Sequence, residues 1–301
     1  MSLHTPYGPK AGENAAPKPR LLQTLEGHQG AVYDLELNAE GDLLSAGGDG
    51  LLVQWAKADG LWEARGKAVA KAAAPLFAAC SHGNGVLAGT GDGGVLSVSK
   101  EGQWEITPAH PGGTYVVTPA GTGGADGRWL TWPGGQEFAK VQGRIRCSLV
   151  HDQNVFLGTS EGAIHNLSSG GTSTVAHEGA VRALMVWPGK SALASVGADG
   201  RLRIWKMEAG GELTAVLSVD AHKGAVYRMA VSPDQRWVAT CSRDKSIALW
   251  QADSLALGVR IARPHWQGHT RSINAMVWNE NGALATAGDD GRILIWGFDL
   301  E

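Results

Sequence analysis

The sequence is poor in the features that mark metal-binding, disulfide-rich and membrane proteins. It has three cysteines in 301 residues, Cys80, Cys147 and Cys241, and no CxxC pair. This gives no basis for a zinc site or a disulfide, so we expect no metal, no other cofactor and a reducing, cytoplasmic location. No apolar run approaches the length of a membrane span, and the amino terminus lacks the apolar core of a signal peptide. A membrane partner is therefore not expected.

An excess of charge of either sign is also missing. The chain has 26 Lys and Arg against 29 Asp and Glu, a net charge of −3, and a pI near 6.4. Because nucleic-acid binders usually present a basic surface, this balance gives no electrostatic reason to expect a nucleic-acid partner. The glycine-rich run at residues 89–94 has no following GK[ST] and lies in a predicted turn, so it does not indicate a phosphate-binding loop.

What the sequence does contain is 43 glycines and a repeated spacing. A Trp follows an Asp by six residues in five places: Asp49/Trp55, Asp126/Trp132, Asp199/Trp205, Asp244/Trp250 and Asp290/Trp296. Asp92/Val98 and Glu161/Leu167 keep this spacing without the Trp. The seven copies are separated by roughly 34 to 46 residues, as expected for repeat units of four strands. The unit from His222 to Trp250 predicts three short strands, which must stack on other copies to bury their faces.

Four of the units share a set of four polar or aromatic residues. A His lies 21 or 22 residues before the Asp and a hydroxyl residue lies four before it. The sets are His28, Ser45, Asp49, Trp55; His177, Ser195, Asp199, Trp205; His222, Thr240, Asp244, Trp250; and His269, Thr286, Asp290, Trp296. They resemble Ser/His/Asp catalytic sets, but repetition at four equivalent positions favours a structural role over a catalytic one.

The pattern resembles the WD-repeat β-propeller family over residues 21–301. The units open with Gly-His or Ala-His and close with Trp, although no unit ends in the Trp-Asp pair that names the family. The resemblance implies an all-β, stand-alone, seven-bladed β-propeller of four-stranded antiparallel blades. It also implies that a strand at residues 21–25 completes the last blade, and that each set of four forms a hydrogen-bonded tetrad. Residues 1–20 contain four prolines and are predicted to form a disordered tail.

The blades are predicted to be unequal. Blades 1, 5, 6 and 7 carry complete tetrads, whereas blades 2 and 4 have lost theirs to Ala, Leu and Val. Blade 3 keeps His110, Thr122, Asp126 and Trp132, but only sixteen residues separate its His from its Asp. Its inner hairpin is therefore predicted to be short, with a turn near Pro119.

The inner strands carry a break in their alternation. In the runs that begin at Val32, Val181 and Val226, apolar residues are spaced by three and then by two. Strict alternation would give two and two, so an extra residue is predicted after the first position, as in a β-bulge. The extra residues, five beyond each His or its equivalent, are Tyr33, Phe77, Tyr115, Arg146, Arg182, Tyr227 and Asn274.

The family resemblance implies that these positions form a partner-binding rim around the mouth of the central channel. The same resemblance adds the position two residues earlier and the residue before the Asp, which here contribute Arg144, Arg243 and Asp289. Tyr and Arg among small neighbours are typical of interface hot spots. The alternative is that the Tyr side chains fill the channel and the Arg side chains solvate its mouth.

The function expected from these observations is a non-enzymatic protein–protein interaction scaffold, monomeric, that binds an acidic or phosphorylated protein or peptide on the rim. One alternative is a propeller enzyme with a channel-mouth site, which would need inward carboxylates or histidines from several blades. The rim positions offer Asp289 as their carboxylate. The other is a module that binds a polyanion or carbohydrate, and steep loss of binding with salt would favour a polyanion.

Overall fold

A computed structural model describes residues 17–83, 85–168, 172–189, 192–208 and 211–299. Within these residues every regular element is a β-strand, and thirty strands are numbered in chain order. Strand β1 (Lys18–Glu26) precedes the first blade. Blade 1 contains β2 (Val32–Leu37), β3 (Leu43–Gly47), β4 (Leu51–Trp55) and β7 (Lys67–Lys71). The short strands β5 (Lys57–Ala58) and β6 (Leu61–Trp62) form a separate hairpin before β7.

The next five blades follow the chain without interruption. Blade 2 contains β8 (Leu76–His82), β9 (Gly85–Thr90), β10 (Gly94–Val98) and β11 (Trp104–Pro108). Blade 3 contains β12 (Thr114–Thr118), β13 (Gly121–Gly124), β14 (Arg128–Thr131) and β15 (Glu137–Lys140). Blade 4 contains β16 (Ile145–His151), β17 (Asn154–Thr159), β18 (Ala163–Asn166) and β19 (Thr172–Val175). Blade 5 contains β20 (Val181–Val186), β21 (Ala192–Gly197), β22 (Arg201–Met207) and β23 (Leu213–Asp220). Blade 6 contains β24 (Val226–Val231), β25 (Trp237–Ser242), β26 (Ile247–Gln251) and β27 (Leu257–Ile261).

Blade 7 joins the two ends of the chain. It contains β28 (Ile273–Trp278), β29 (Leu284–Gly288) and β30 (Arg292–Asp299), and its fourth strand is β1. Seven four-stranded antiparallel blades, closed by the first strand, confirm the predicted fold class. The closing strand begins at Lys18 rather than at residue 21, because β30 continues past Trp296 to Asp299 and so offers partners to residues 18–20. The rest of the predicted tail, residues 1–16, lies outside the described residues.

The hydrophobic core consists of seven clusters, one between each pair of neighbouring blades. The second strand of each blade is covered on both faces by the two neighbouring blades. Every residue is therefore buried in β3, β21, β25 and β29. Outer strands face solvent, and all of β11 is exposed. The cluster between blades 5 and 6 holds fourteen buried residues, whereas the cluster between blades 3 and 4 holds four. Apolar burial therefore stabilises the two halves of the ring unequally.

The four tetrads are hydrogen-bonded from the indole to the carboxylate. In blade 1 the Trp55 indole donates to Ser45 Oγ at 3.0 Å. The hydroxyl lies 2.8 Å from His28 Nε2, and His28 Nδ1 lies 3.0 Å from Asp49 Oδ1. Blades 5, 6 and 7 repeat the arrangement, with indole-to-hydroxyl distances of 2.8, 3.0 and 3.0 Å. The matching imidazole-to-carboxylate distances are 2.8, 3.2 and 2.9 Å.

The electrostatics of the blade 6 tetrad place the charge on the carboxylate. Burial lowers the pKa of His222, and Asp244 only partly opposes this effect. Burial would raise the pKa of Asp244, but hydrogen bonds from His222 and Ser246 outweigh it and hold that pKa below its ordinary value. A neutral imidazole therefore donates from Nδ1 to an ionised carboxylate and accepts at Nε2 from the hydroxyl.

Blade 3 departs from the prediction at Trp132. His110 bonds to both Asp126 and Thr122, at 2.9 and 3.0 Å, so three of the four residues are joined. Among the described hydrogen bonds none links the Trp132 indole to Thr122. Strand β14 ends at Thr131, and Trp132 lies beyond it, packed against the cluster between blades 2 and 3. The short inner hairpin is as predicted, because β12 ends at Thr118 and β13 begins at Gly121.

We expect Asp244→Ala to destabilise the protein by about 1–3 kcal/mol more than Glu161→Ala does. Removal of the Asp244 carboxylate leaves the buried His222 imidazole without its charged acceptor, and it also removes the acceptor for the backbone N–H of Lys223. Glu161 is exposed, and its described side-chain hydrogen bond joins it to Ser160. Urea unfolding at pH 7 measures the difference. Equal shifts of the two midpoints would show that the tetrad of blade 6 does not stabilise the fold.

Candidate partner-binding rim

A β-bulge occurs on the inner strand of every blade. The strand pairing breaks at one residue in each case, and these residues are Tyr33, Phe77, Tyr115, Arg146, Arg182, Tyr227 and Asn274. They are the seven residues that the spacing predicted, so the bulge prediction is confirmed. A bulge turns the extra side chain out of the pleat. All seven side chains line one cavity of about 490 Å³ at the channel mouth, together with Arg228 and Asp289.

Three aromatic rings form a continuous arc along blades 1 to 3. The centroids of Tyr33 and Phe77 lie 5.3 Å apart in an edge-to-face arrangement, and Phe77 stacks on Tyr115 at the same distance. Small residues make room for the rings. A Cβ atom at Gly113 would lie 3.0 Å from the ring of Tyr115. The arc is a rigid apolar surface of the kind that binds partners at low cost in side-chain entropy.

Two arginines continue the arc on blades 4 and 5. The Arg146 guanidinium carbon lies 4.2 Å from the centroid of Tyr115, and that of Arg182 lies 5.2 Å from the centroid of Tyr227. Both distances are within the range of a cation–π interaction. Burial, and after it the charge of Arg182, lowers the pKa of Arg146. The two cations are therefore close enough to repel each other inside the cavity.

The opposite side of the mouth carries the carboxylate of Asp289, which is hydrogen-bonded within blade 7. The Asn274 amide donates to Asp289 Oδ1 at 2.7 Å and to the carbonyl of Val32 at 3.1 Å. Burial, and after it the Asp289 carboxylate, raises the pKa of Tyr33. The mouth is therefore charged on both sides. Blades 4 and 5 carry two guanidiniums that have no carboxylate partner among the described residues, and blade 7 carries a hydrogen-bonded carboxylate.

Two of the predicted rim residues lie outside the cavity. Arg144 and Arg243 are exposed and do not line it. Arg144 directly precedes the inner hairpin of blade 4, and Arg243 directly follows that of blade 6. The Arg144 backbone N–H donates to Ser160 Oγ at 2.9 Å. The positive half of the cavity therefore comes from Arg146 and Arg182 together with Arg228, which the sequence analysis missed.

Arg228 forms an ion pair across the ring. Its Nη2 lies 2.5 Å from Asp34 Oδ1, which joins blade 6 to blade 1. The Asp34 carboxylate also accepts from the backbone N–H groups of Leu35 and Ala79, at 3.1 and 3.0 Å. The Asp34 side chain is 8% exposed and that of Arg228 is 32% exposed. Both residues directly follow a bulge residue on an apolar inner strand. A charged residue at this position was the sequence signal that could have indicated the ion pair.

A second cavity of about 570 Å³ lies further along the inner strands. It shares Tyr115, Arg146 and Arg228 with the first and adds Asp34 and Glu36. Burial, and after it the Asp34 charge, raises the pKa of Glu36 to about 7, while Arg228 partly opposes this. The ion pair therefore lies where the mouth cavity meets a deeper, more acidic part of the channel.

Metal-ligand clusters and membrane-spanning helices are both absent from the described residues. No group of three or more His, Cys, Asp or Glu side chains that could hold a metal ion occurs among them. In the same part of the chain, no helix is long and apolar enough to cross a membrane.

Comparisons with known proteins agree with this architecture. The model of the WD domain, G-beta repeat, matches residues 19–56, 170–206, 212–251 and 262–297. These four stretches contain the four complete tetrads, and the eroded blades 2 to 4 lie between them. The crystal structure of the WD40 beta propeller domain of Doa1 superposes with a TM-score of 0.77, covers 93% of this chain and 97% of that one, and is 18% identical. No curated protein sequence matches the chain significantly.

Proposed function

We propose, for a chain that belongs to the WD-repeat family, that it is a non-enzymatic scaffold which binds a protein or peptide on its channel-mouth rim. Propellers of this family commonly act as protein-interaction scaffolds. The observation that carries the proposal is the pair Arg146 and Arg182, which adjoins the aromatic arc. Among the described residues neither guanidinium has a carboxylate partner, so an acidic segment of the partner would complete their interactions.

The chemistry of the rim favours binding over catalysis. Its carboxylate, Asp289, accepts a hydrogen bond from Asn274 and lies across the mouth from the cations. A tyrosine and arginine surface of this kind matches interface hot spots, in which a few aromatic and Arg side chains contribute most of the affinity. A polyanion would use the same arginines, but it would not need the apolar arc of Tyr33, Phe77 and Tyr115.

The proposal has three further features, on location, oligomeric state and nucleic acid. We infer a cytoplasmic location from the three cysteines, because all three are buried free thiols, as is usual in a reducing compartment. We infer a monomer because β1 closes the ring and pairs with the free edge of β30. We infer no nucleic-acid partner from the net charge of −3.

The double variant Arg146→Ala/Arg182→Ala should lose its partner in affinity capture. Two charge-assisted hydrogen bonds are worth about 3 kcal/mol or more together, so we expect about a hundredfold loss of affinity or greater. The matched control is Arg144→Ala/Arg243→Ala, which removes the same charge from exposed positions outside the cavity. Tyr227→Ala should weaken binding with less change in its salt dependence than the Arg variant shows.

The thermal midpoints of both double variants should stay near that of the wild type, because neither pair belongs to a tetrad. Capture of every wild-type partner by Arg146→Ala/Arg182→Ala would overturn the proposal. Equal loss in both double variants would point to net charge rather than to the rim cavity.

A further inference from the structure

The mouth cavity has an imbalance of charge that is confined to one side. Three guanidiniums line it, from Arg146, Arg182 and Arg228. Arg228 is neutralised by Asp34 at 2.5 Å. Asp289 is on blade 7, where it is bonded to Asn274. Within the described residues, the charges of Arg146 and Arg182 on the neighbouring blades 4 and 5 therefore have no carboxylate partner.

The hydrogen-bonding groups of these arginines are also incomplete. Arg182 Nε is buried and has no hydrogen-bond partner within the described part of the chain. A buried donor left without an acceptor costs about 1–3 kcal/mol and calls for an explanation, such as a ligand that is bound in the working state. The guanidinium carbons of Arg146 and Arg182 lie over tyrosine rings, at 4.2 and 5.2 Å from the ring centroids. The N–H groups lie at the edge of the guanidinium plane, where they remain suited to a planar or tetrahedral oxyanion.

The size of the cavity limits what can enter. A volume of about 490 Å³ is within the range of small-ligand pockets, so the cavity can take a side chain of a bound peptide but not a folded segment. The rest of a bound peptide would lie across the aromatic arc at the mouth. The ligand group is therefore the end of one side chain that projects into the channel.

We infer that the cavity binds one phosphorylated side chain of the partner, with its phosphate between Arg146 and Arg182 above the Asp34–Arg228 pair. This inference rests on the proposed function and specifies its ligand. A phosphomonoester carries a charge of about −1.5 to −2 and three acceptor oxygens, which match the two cations that line the cavity. A carboxylate carries a single charge and would leave one guanidinium uncompensated.

The first test removes phosphate from the partner. A lysate is divided and treated with a broad-specificity protein phosphatase, or with the phosphatase plus its inhibitor. Wild type, Arg146→Ala/Arg182→Ala and Arg144→Ala/Arg243→Ala are then used for capture from each half. We expect phosphatase to abolish capture by the wild type and by the control variant, and the cavity variant to capture nothing from either half.

The outcomes separate the two proposals. Capture that survives phosphatase but is lost in the cavity variant would overturn the phosphate and leave the acidic-partner rim standing. Capture that survives in the cavity variant would overturn both.

The second test uses defined probes in place of the partner. Phenyl phosphate and benzoate share a ring but differ in charge, and calorimetric titration at pH 7.5 measures the affinity of each. We expect wild type to bind phenyl phosphate at least tenfold more tightly than benzoate, and this preference to disappear in Arg146→Ala/Arg182→Ala but not in Arg144→Ala/Arg243→Ala. Equal affinity of the wild type for both probes, or none for phenyl phosphate, would overturn the inference.

Discussion

Deletion of residues 1–26 should leave the chain without a cooperatively folded state at 37 °C. Strand β1 pairs with β30 from Lys18 to Glu26, and its Leu25 is fully buried between blades 7 and 1. Burial of one leucine is worth about 2 kcal/mol and each hydrogen bond of the ladder about 0.5–1.5 kcal/mol. The sum is comparable with the whole stability of a typical domain, about 5–15 kcal/mol. The deletion also exposes β30 as a free edge, which invites aggregation.

The control for this deletion is removal of residues 1–16 alone. That variant keeps all of β1 and every pair that it makes with β30, so its thermal midpoint should match that of the full chain. Thermal unfolding followed by circular dichroism distinguishes the two deletions. A cooperative transition within a few degrees of the full chain after deletion of residues 1–26 would show that ring closure by β1 contributes little.

Features that repeat along the chain could be predicted from the sequence, because each copy supports the others. The bulges are an example. One irregular spacing near Tyr33 would be weak, but the same three-then-two spacing at Val181 and Val226 fixes a register that extends to all seven inner strands. The tetrads of blades 1, 5, 6 and 7 follow in the same way from constant separations.

Local exceptions were harder to predict, although one left a signal. The hairpin of β5 and β6 was not predicted, yet its turn is Asp59-Gly60, and both residues have positive φ angles of 46° and 79°. An Asp-Gly pair is the preferred sequence for such a two-residue turn. Trp132 is the opposite case. It keeps the repeat spacing, but its strand ends one residue earlier, at Thr131, and spacing alone cannot show where a strand ends.

Contacts across the ring could not be predicted from the sequence at all. The Asp34–Arg228 pair joins residues 194 positions apart, on blades that are not neighbours in the chain. The sequence of neither inner strand indicates that the two charged residues form a pair. The pair follows only from closure of the ring, which brings all seven inner strands to one axis. Position on the strand decided which of the predicted arginines face the cavity, because Arg146 and Arg182 are bulge residues. Arg144 and Arg243 lie just outside their strands and face solvent.

The other large effect should come from breaking that pair. Arg228→Met should destabilise the protein by about 3 kcal/mol at pH 8, because it leaves the buried Asp34 carboxylate without its cation. The expected loss of stability lies at the low end of the range for buried ion pairs, because about a third of the Arg228 side chain is exposed. The double variant Asp34→Asn/Arg228→Met removes both charges and should be more stable than Arg228→Met alone. Arg201→Met, which breaks an exposed pair with Asp220, should cost less than about 1 kcal/mol.

The loss in Arg228→Met should also depend on pH, with a sign set by Glu36. The pKa of Glu36 is already raised to about 7, and Arg228 is the cation that opposes the rise. Without it the pKa should move higher. A carboxyl with a raised pKa in the folded state favours the protonated form, so its contribution to stability falls as pH rises above its unfolded value. Urea unfolding should therefore show a larger deficit of Arg228→Met relative to wild type at pH 8 than at pH 5. A deficit that is the same at both pH values, or no recovery in the double variant, would show that Arg228 does not hold the two carboxylates of the channel.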